Sequence, residues 1–210
     1  MTRILLADDH EVVRRGLRDI LSDEFPRVKV GDARNAQEAV EAVRKESWDA
    51  VLLDINMPGR NGLEVLEEIK RLRPALPVLI LSMAPEQDYA LRALKLGAAG
   101  YLTKQSASDE LVAALRKALA GGKYVTASLA EKLASALSGE APVAPHETLS
   151  NRELQVLRLI AAGKTLKEIA SELSLSEKTI GTYRARLAEK LHVSTNVEIT
   201  RYALQHRLAE

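Results

Sequence analysis

The sequence predicts a doubly wound α/β domain, built on a five-stranded parallel sheet, followed by a small all-α domain. Five short apolar runs, at 4–7, 28–30, 51–53, 78–81 and 99–102, are each followed by residues at helical spacing. That alternation is the signature of repeated βα units. Continuously apolar runs suit a sheet covered by helices on both faces. Beyond a Gly- and Pro-bearing stretch at 138–145 the spacing becomes purely helical, which predicts the second domain.

Taken in order, the run at 4–7 leads into Val12, Val13, Leu17, Ile20 and Leu21, a helical stripe. The pattern repeats until Gly121-Gly122 ends a helix that starts near Ser108. A short helix over about 126–137 follows, and 138–145 then reads as a linker. Ser150 with Glu153, Thr165 with Glu168 and Thr195 with Glu198 each have the spacing of a capping box. In that motif hydroxyl and carboxylate satisfy the free N–H groups of a helix start. Gly163 stands where the first of these helices should stop, and another runs from Ser176 to about Leu191. The domain boundaries expected are 1–122, a linker with a short helix at 123–147, and 148–210.

With 46% hydrophobic but only 3% aromatic residues, the core must be aliphatic. The absence of cysteine excludes disulfide frameworks and thiolate zinc sites. The N-terminal apolar run breaks at Asp8, too soon for a signal peptide, and no run approaches the roughly 18 residues of a membrane span. A cytoplasmic protein is expected. The net charge is +1, so composition names no partner. Position says more: over 178–190, Lys178, Arg184, Arg186 and Lys190 face Glu189 alone.

In an open parallel sheet, ligands bind at the carboxyl ends of the strands. Asp8 and Asp9 follow the first strand, Asp54 the third and Lys104 the fifth, while Ser82 ends the fourth. In a sheet with strand 1 near the centre these five side chains converge. Three carboxylates that close repel one another. A hard divalent cation such as Mg²⁺ relieves that repulsion. Lys104 and Ser82 add a fixed positive charge and a hydroxyl donor. Such a pocket suits a phosphoryl group beside a metal, with Asp54 as nucleophile. Singly, an aspartate after a strand is more often a helix cap, and a lysine there a solvated charge. His10 reads as a helix start and Trp48 as packing.

The segments 165–173 and 176–191, joined by a turn at Ser174-Leu175, have helix-turn-helix spacing. Leu166, Ile169, Ala170, Leu173, Leu175, Ile180, Leu187 and Leu191 mark its inner face. The outer face of the second helix offers Lys178, Thr179, Thr182, Tyr183, Arg184, Arg186 and Lys190, groups suited to phosphates and base edges. On pattern alone this is equally an ordinary solvated face. If the helix enters a major groove, base reading should fall on Thr182 and Arg184. Lys178, Thr179, Tyr183 and Arg186 would then hold phosphates, with Gly181 and Ala185 allowing close approach.

Residues 1–122 resemble the receiver domain of a two-component response regulator. The resemblance is carried by Leu6-Ala7-Asp8-Asp9-His10, Leu53-Asp54-Ile55-Asn56-Met57-Pro58-Gly59, Leu81-Ser82-Met83 and Gly100-Tyr101-Leu102-Thr103-Lys104. It implies a flavodoxin-like fold and an Asp54 that is phosphorylated by a histidine kinase. It also implies Mg²⁺ held by Asp9, Asp54 and the backbone carbonyl of Asn56, with Asp8 acting through water. Lys104 would pair with the phosphoryl group, Ser82 would hydrogen-bond it, and Tyr101 would rotate inward. Taken alone, Tyr101 reads as a buried core tyrosine. Where many receivers have proline after the lysine, often behind a cis peptide, this chain has Gln105.

Residues 148–208 resemble the LuxR-type helix-turn-helix of the NarL/FixJ family. The carriers are Leu149-Ser150-Asn151-Arg152-Glu153, Gly163-Lys164-Thr165-Leu166-Lys167-Glu168-Ile169-Ala170, Leu175-Ser176-Glu177-Lys178-Thr179-Ile180 and Tyr183-Arg184-Ala185-Arg186. Gly181 stands where family members often carry lysine. The helix with Val197, Ile199, Ala203 and Leu204 resembles the one that pairs DNA-binding domains in this family. Together the resemblances imply a transcription regulator that binds double-stranded DNA and dimerises on phosphorylation. Two other readings compete with it: an aspartate-nucleophile phosphatase and a constitutive DNA-binding protein. The phosphatase lacks a second aspartate at position 56, which is Asn, and has no room for a cap domain. The intact Asp8, Asp9, Asp54, Ser82 and Lys104 argue against the constitutive protein.

Overall fold

The structure, a computed structural model, describes residues 1–57, 60–83, 86–137, 144–206 and 208–209; side chains at 87, 88, 107–109, 132 and 135–137 are outside the description. The chain divides into two compact units, Met1–Ser138 and Gly139–Glu210. Most of the expected linker, 138–143, falls outside the described residues.

Among the described residues the first unit holds strands β1 (Arg3–Ala7), β2 (Lys29–Ala33), β3 (Ala50–Asp54), β4 (Val78–Ser82) and β5 (Gly100–Thr103), all parallel, in the order β2-β1-β3-β4-β5. Helices α1 (Glu11–Glu24), α2 (Ala36–Lys45), α3 (Gly62–Leu72), α4 (Glu86–Lys95) and α5 (Ala107–Leu119) alternate with them. The inner strands β3 and β4 are buried at every position, which is why they read as unbroken apolar runs. Ile4, Leu6, Leu52, Leu79 and Leu81 pack against Leu17 and Leu21 of α1 and Leu111 and Leu115 of α5. The alternate positions Leu5, Val51, Leu53, Val78 and Ile80 are buried on the opposite face.

Strand β2 lies at 29–33, beyond the run expected at 28–30. It is an edge strand, and Val30-Gly31-Asp32 are only partly covered or exposed, so hydrophobicity does not mark its full length. Trp48 explains Gly31: a Cβ there would meet the indole at 2.2 Å. The indole N–H donates to the Ala42 carbonyl at 3.0 Å, and Arg3 lies over the ring, so Trp48 is a packing residue.

The helix expected inside the linker, α6 (Ala127–Leu137), belongs to the first unit. Tyr124 bridges to Gly100 of β5, and its hydroxyl donates to Glu110 of α5 at 2.8 Å. The Thr126 hydroxyl accepts the Leu129 N–H and lies 2.8 and 2.9 Å from the carboxylate oxygens of Glu86, the first residue of α4. Leu129 is buried.

The second unit comprises a 3₁₀ turn (Pro145–Thr148) and α7 (Asn151–Ala161), α8 (Leu166–Glu172), α9 (Glu177–Leu191) and α10 (Asn196–Gln205). All three expected capping boxes form, at Ser150, Thr165 and Thr195. Gly163, at φ +80°, ends the first helix as expected. Leu154, Leu157, Ile160, Ile169, Ile180, Leu187, Leu191, Ile199 and Ala203 form its buried face, whereas Leu166 and Leu175 are only partly covered.

Two glycines make opposite predictions. A Cβ on Gly62 would lie 2.2 Å from the Asp54 carbonyl oxygen and 2.6 Å from Ile55 Cα, backbone that cannot move aside. Denaturant unfolding of Gly62→Ala should show the first unit destabilised by at least the roughly 1–3 kcal/mol of an overpacked core. A Cβ on Gly181, inside α9, meets nothing within 4 Å. Gly181→Ala should stabilise the second unit by about 0.5–1 kcal/mol.

Candidate functional site

Strand register brings the chemistry to one rim. Asp54 pairs with Leu81 and Ser82 with Thr103, while β1 ends at Ala7 opposite Leu53. Asp8, Asp54, Ser82 and Lys104 therefore leave the sheet at the same edge. The Lys104 amide donates to the Ser82 carbonyl at 2.8 Å and continues the ladder past β5. Its ammonium lies 2.7 Å from Asp8 Oδ2 and 2.7 Å from Asp54 Oδ2. All three side chains are buried.

The second Asp54 oxygen accepts the Asn56 N–H at 3.0 Å. Asp8 Oδ1 accepts the His10 N–H at 2.8 Å, and His10 Nδ1 lies 2.9 Å from Asp9 Oδ1. Burial pushes the Asp54 carboxyl above its ordinary value, against the pull of Lys104 and Asn56. Burial alone would lower the Lys104 ammonium; its bonds to Asp54 and Asp8 outweigh that and raise it. Ser82 and Tyr101 are buried, and Asn56 is exposed. Among the described residues no peptide bond is cis, so Gln105 follows Lys104 through a trans bond.

Ligand atoms of Asp8, Asp9, His10 and Asp54 lie within 4.8 Å of one another. One lysine leaves three clustered carboxylates undercompensated, and oxygen donors suit a hard cation such as Mg²⁺. The residues present fit that ion. His10 is the N-cap residue of α1, as expected from its place, but its side chain caps nothing and leans on the acidic pair. Its position one residue after the pair was the only signal for this in the sequence.

In the second unit, Lys178, Thr179, Thr182, Tyr183 and Arg186 line one shallow depression on α9. Two other expected contact residues point elsewhere. Arg184 donates from Nε to Asn196 Oδ1 at 2.7 Å and from its terminal nitrogen to the Ser194 carbonyl at 2.9 Å. It braces the turn before α10. The Lys190 ammonium bonds the Glu153 carboxylate at 2.6 Å and the Thr148 carbonyl at 3.2 Å, tying α9 to the start of α7. These partners lie at least ten residues away, so periodicity carries no trace of them. On α10, Val197 and Leu204 are exposed, seven residues apart.

Comparison with known proteins gives the family of each unit. The family model for the response regulator receiver domain matches residues 4–116, and that of the luxR family of bacterial regulatory proteins matches 147–203. Response regulator UvrY of Escherichia coli K12 is 38% identical over 209 residues, 99% of this chain and 96% of that one. RcsB of Salmonella enterica serovar Typhimurium, solved on the promoter rprA with the phosphomimetic BeF₃⁻, superimposes with a TM-score of 0.65 at 28% identity, covering 96% of this chain and 98% of that one. RcsB solved as two dimers on two parallel DNAs gives a TM-score of 0.59 at 28% identity, covering 96% and 97%. The chain belongs to the NarL/FixJ-type response regulators: a receiver joined to a LuxR-type helix-turn-helix domain, acting in transcription control. The family is one of regulators rather than enzymes. Among the described residues no helix is long and apolar enough to cross a membrane.

The Glu153–Lys190 pair yields a pH prediction. Burial alone would raise the Glu153 carboxyl, but Lys190 and the Ser150 N–H hold it below its ordinary value of 4.5. A carboxyl lowered in the folded state stabilises the fold above its unfolded value, and this contribution fades as pH falls through the folded one. The contribution of Glu153 to the stability of the second unit should therefore begin to be lost below about pH 4.5. In Glu153→Gln, stability at neutral pH should drop and the acid slope flatten. An unchanged slope would show that the pair contributes nothing.

Proposed function

We propose that this response regulator is switched by phosphorylation of Asp54 from a histidine kinase, and that the switch controls its dimerisation and sequence-specific DNA binding. The observation that carries the reading is the Lys104 ammonium held 2.7 Å from both Asp8 and Asp54 in a buried pocket at the carboxyl edge of the sheet. An Asp54 oxygen attacks the phosphorus of the kinase phosphohistidine; the new O–P bond replaces the P–N bond, and the imidazole leaves. Asp8, Asp9, Asp54 and the backbone of Asn56 would hold Mg²⁺, which when bound neutralises phosphoryl oxygens. Lys104 stays paired with the new negative charge.

A route from the pocket to the rest of the chain is in place. Ser82 ends β4, and α4 begins four residues later at Glu86, which holds Thr126 at the start of α6. A shift of Ser82 toward the phosphoryl group, with Tyr101 of β5 following, is felt by the segment that leads into the second unit. There α9 offers Lys178, Thr179, Thr182, Tyr183 and Arg186 to DNA. The exposed Val197 and Leu204 of α10 suit pairing with a second copy. RcsB, solved as dimers on DNA, supports that reading.

Two experiments test this. Asp54→Asn should lose labelling by acetyl phosphate and Mg²⁺ while keeping its fold by circular dichroism; undiminished labelling removes Asp54 as the acceptor. The bonds of Arg184 to Asn196 and Ser194 support a bracing role over base reading. Selection from random DNA should return the same motif with Arg184→Ala as with the parent, with weaker binding to every sequence. Arg186→Ala or Thr182→Ala should alter the motif or the salt slope, at about 1–3 kcal/mol for a base contact.

A further inference from the structure

Arg14 of α1 is buried in the first unit, 7% exposed, and is neither ligand nor nucleophile. One terminal nitrogen donates to the backbone carbonyl of Asp8 at 2.7 Å. Its Nε lies 3.8 Å from Asp32 Oδ1 of β2, and Asp32 also holds Arg18.

The place of that bond gives it a consequence. Pairing of β1 with β3 stops at Ala7 opposite Leu53, so the Asp8 carbonyl lies one residue beyond the ladder. A buried carbonyl there needs another donor. The Asp8 N–H is still held by the Ala33 carbonyl at 3.1 Å, its Oδ1 by the His10 N–H and its Oδ2 by Lys104. Arg14 supplies the remaining tie, and Asp9 swings from that peptide. A guanidinium can reach the carbonyl and Asp32 at once, which a lysine, as a point charge, does less well.

We propose that Arg14 is a positioning residue of the acidic pocket: by fixing the Asp8 peptide it sets the separation of the Asp8 and Asp9 carboxylates that a divalent cation requires. The inference rests on the phosphoacceptor reading of the pocket. Groups that orient ligands from behind commonly carry 10–100-fold of metal affinity.

The test uses the full chain with Arg14→Met, Arg14→Lys and Asp32→Asn. Mg²⁺ affinity is read by calorimetry, folding by thermal melting, and acetyl phosphate labelling as a function of Mg²⁺ concentration. Arg14→Met should weaken Mg²⁺ binding by about tenfold or more. Its labelling should shift to higher Mg²⁺ and recover most of its rate at saturation. Arg14→Lys should fall between, and Asp32→Asn, which removes only the outer anchor, should weaken Mg²⁺ less than Arg14→Met. A merely structural arginine would lower the melting temperature and leave the Mg²⁺ affinity of the folded protein unchanged; that result overturns the inference. If Arg14→Met does not fold, Arg14→Lys and Asp32→Asn decide it, and parental Mg²⁺ affinity in both rejects it. If the parent itself takes no label at Asp54, the phosphoacceptor reading fails, and this inference with it.

Discussion

Two carboxylates and an ammonium leave water together at the edge of the β-sheet, and the rest of the first unit exists to hold them there. Each charge would be costly alone in that position. Lys104 at 2.7 Å from both Asp8 and Asp54 offsets the cost only because β1, β3, β4 and β5 end in register. A slip of one residue in β3 would turn Asp54 to the opposite face. β3 and β4 are buried and apolar up to the polar residue that ends each, Asp54 and Ser82, so hydrophobic pattern alone does not set their register. The close approach of Gly62 to the Asp54 carbonyl adds a backbone constraint on the loop that follows.

The site is also left incomplete. Three carboxylates cluster beside one lysine that bonds only two of them, and Asp54 has its carboxyl pushed up by burial. A pocket with surplus negative charge and a fixed cation favours whatever adds positive charge or spreads the negative charge over more donors. On the proposed reading it would respond to a metal and a phosphoryl group together. The response would have a mechanical outlet, because β4 carries Ser82 at its end and α4, on which Thr126 is anchored, begins four residues later.

Much of this was legible in the residues. Apolar runs located β1, β3, β4 and β5, and of the five strand-end residues expected to converge, Asp8, Asp54 and Lys104 meet directly, Asp9 lies in the acidic cluster and Ser82 ends β4 at the same edge. Capping boxes set the starts of α7, α8 and α10, because a cap is local chemistry written in four residues. Strand β2 was marked only over its first two residues, because this edge strand is not apolar along its length. The roles of Arg184 and Lys190 were hidden for a different reason. A basic residue on an outer helix face looks the same whether it meets DNA, a loop carbonyl or a buried glutamate 37 residues away. The docking of α6 through Thr126 and Glu86, and the tie from Arg14 to the Asp8 carbonyl, are likewise tertiary facts with no periodicity to announce them.

The central claim is that the state of the acidic pocket sets the affinity of the helix-turn-helix for DNA. The most direct measurement is fluorescence anisotropy on a selected DNA site, titrated with one preparation of the full chain in Mg²⁺, with and without acetyl phosphate. The account predicts tighter binding with the phosphodonor, by a factor within the 5–150-fold range usual for coupling between two sites. Equal affinity in both titrations, with Asp54 shown by mass spectrometry to carry the phosphoryl group, would contradict it.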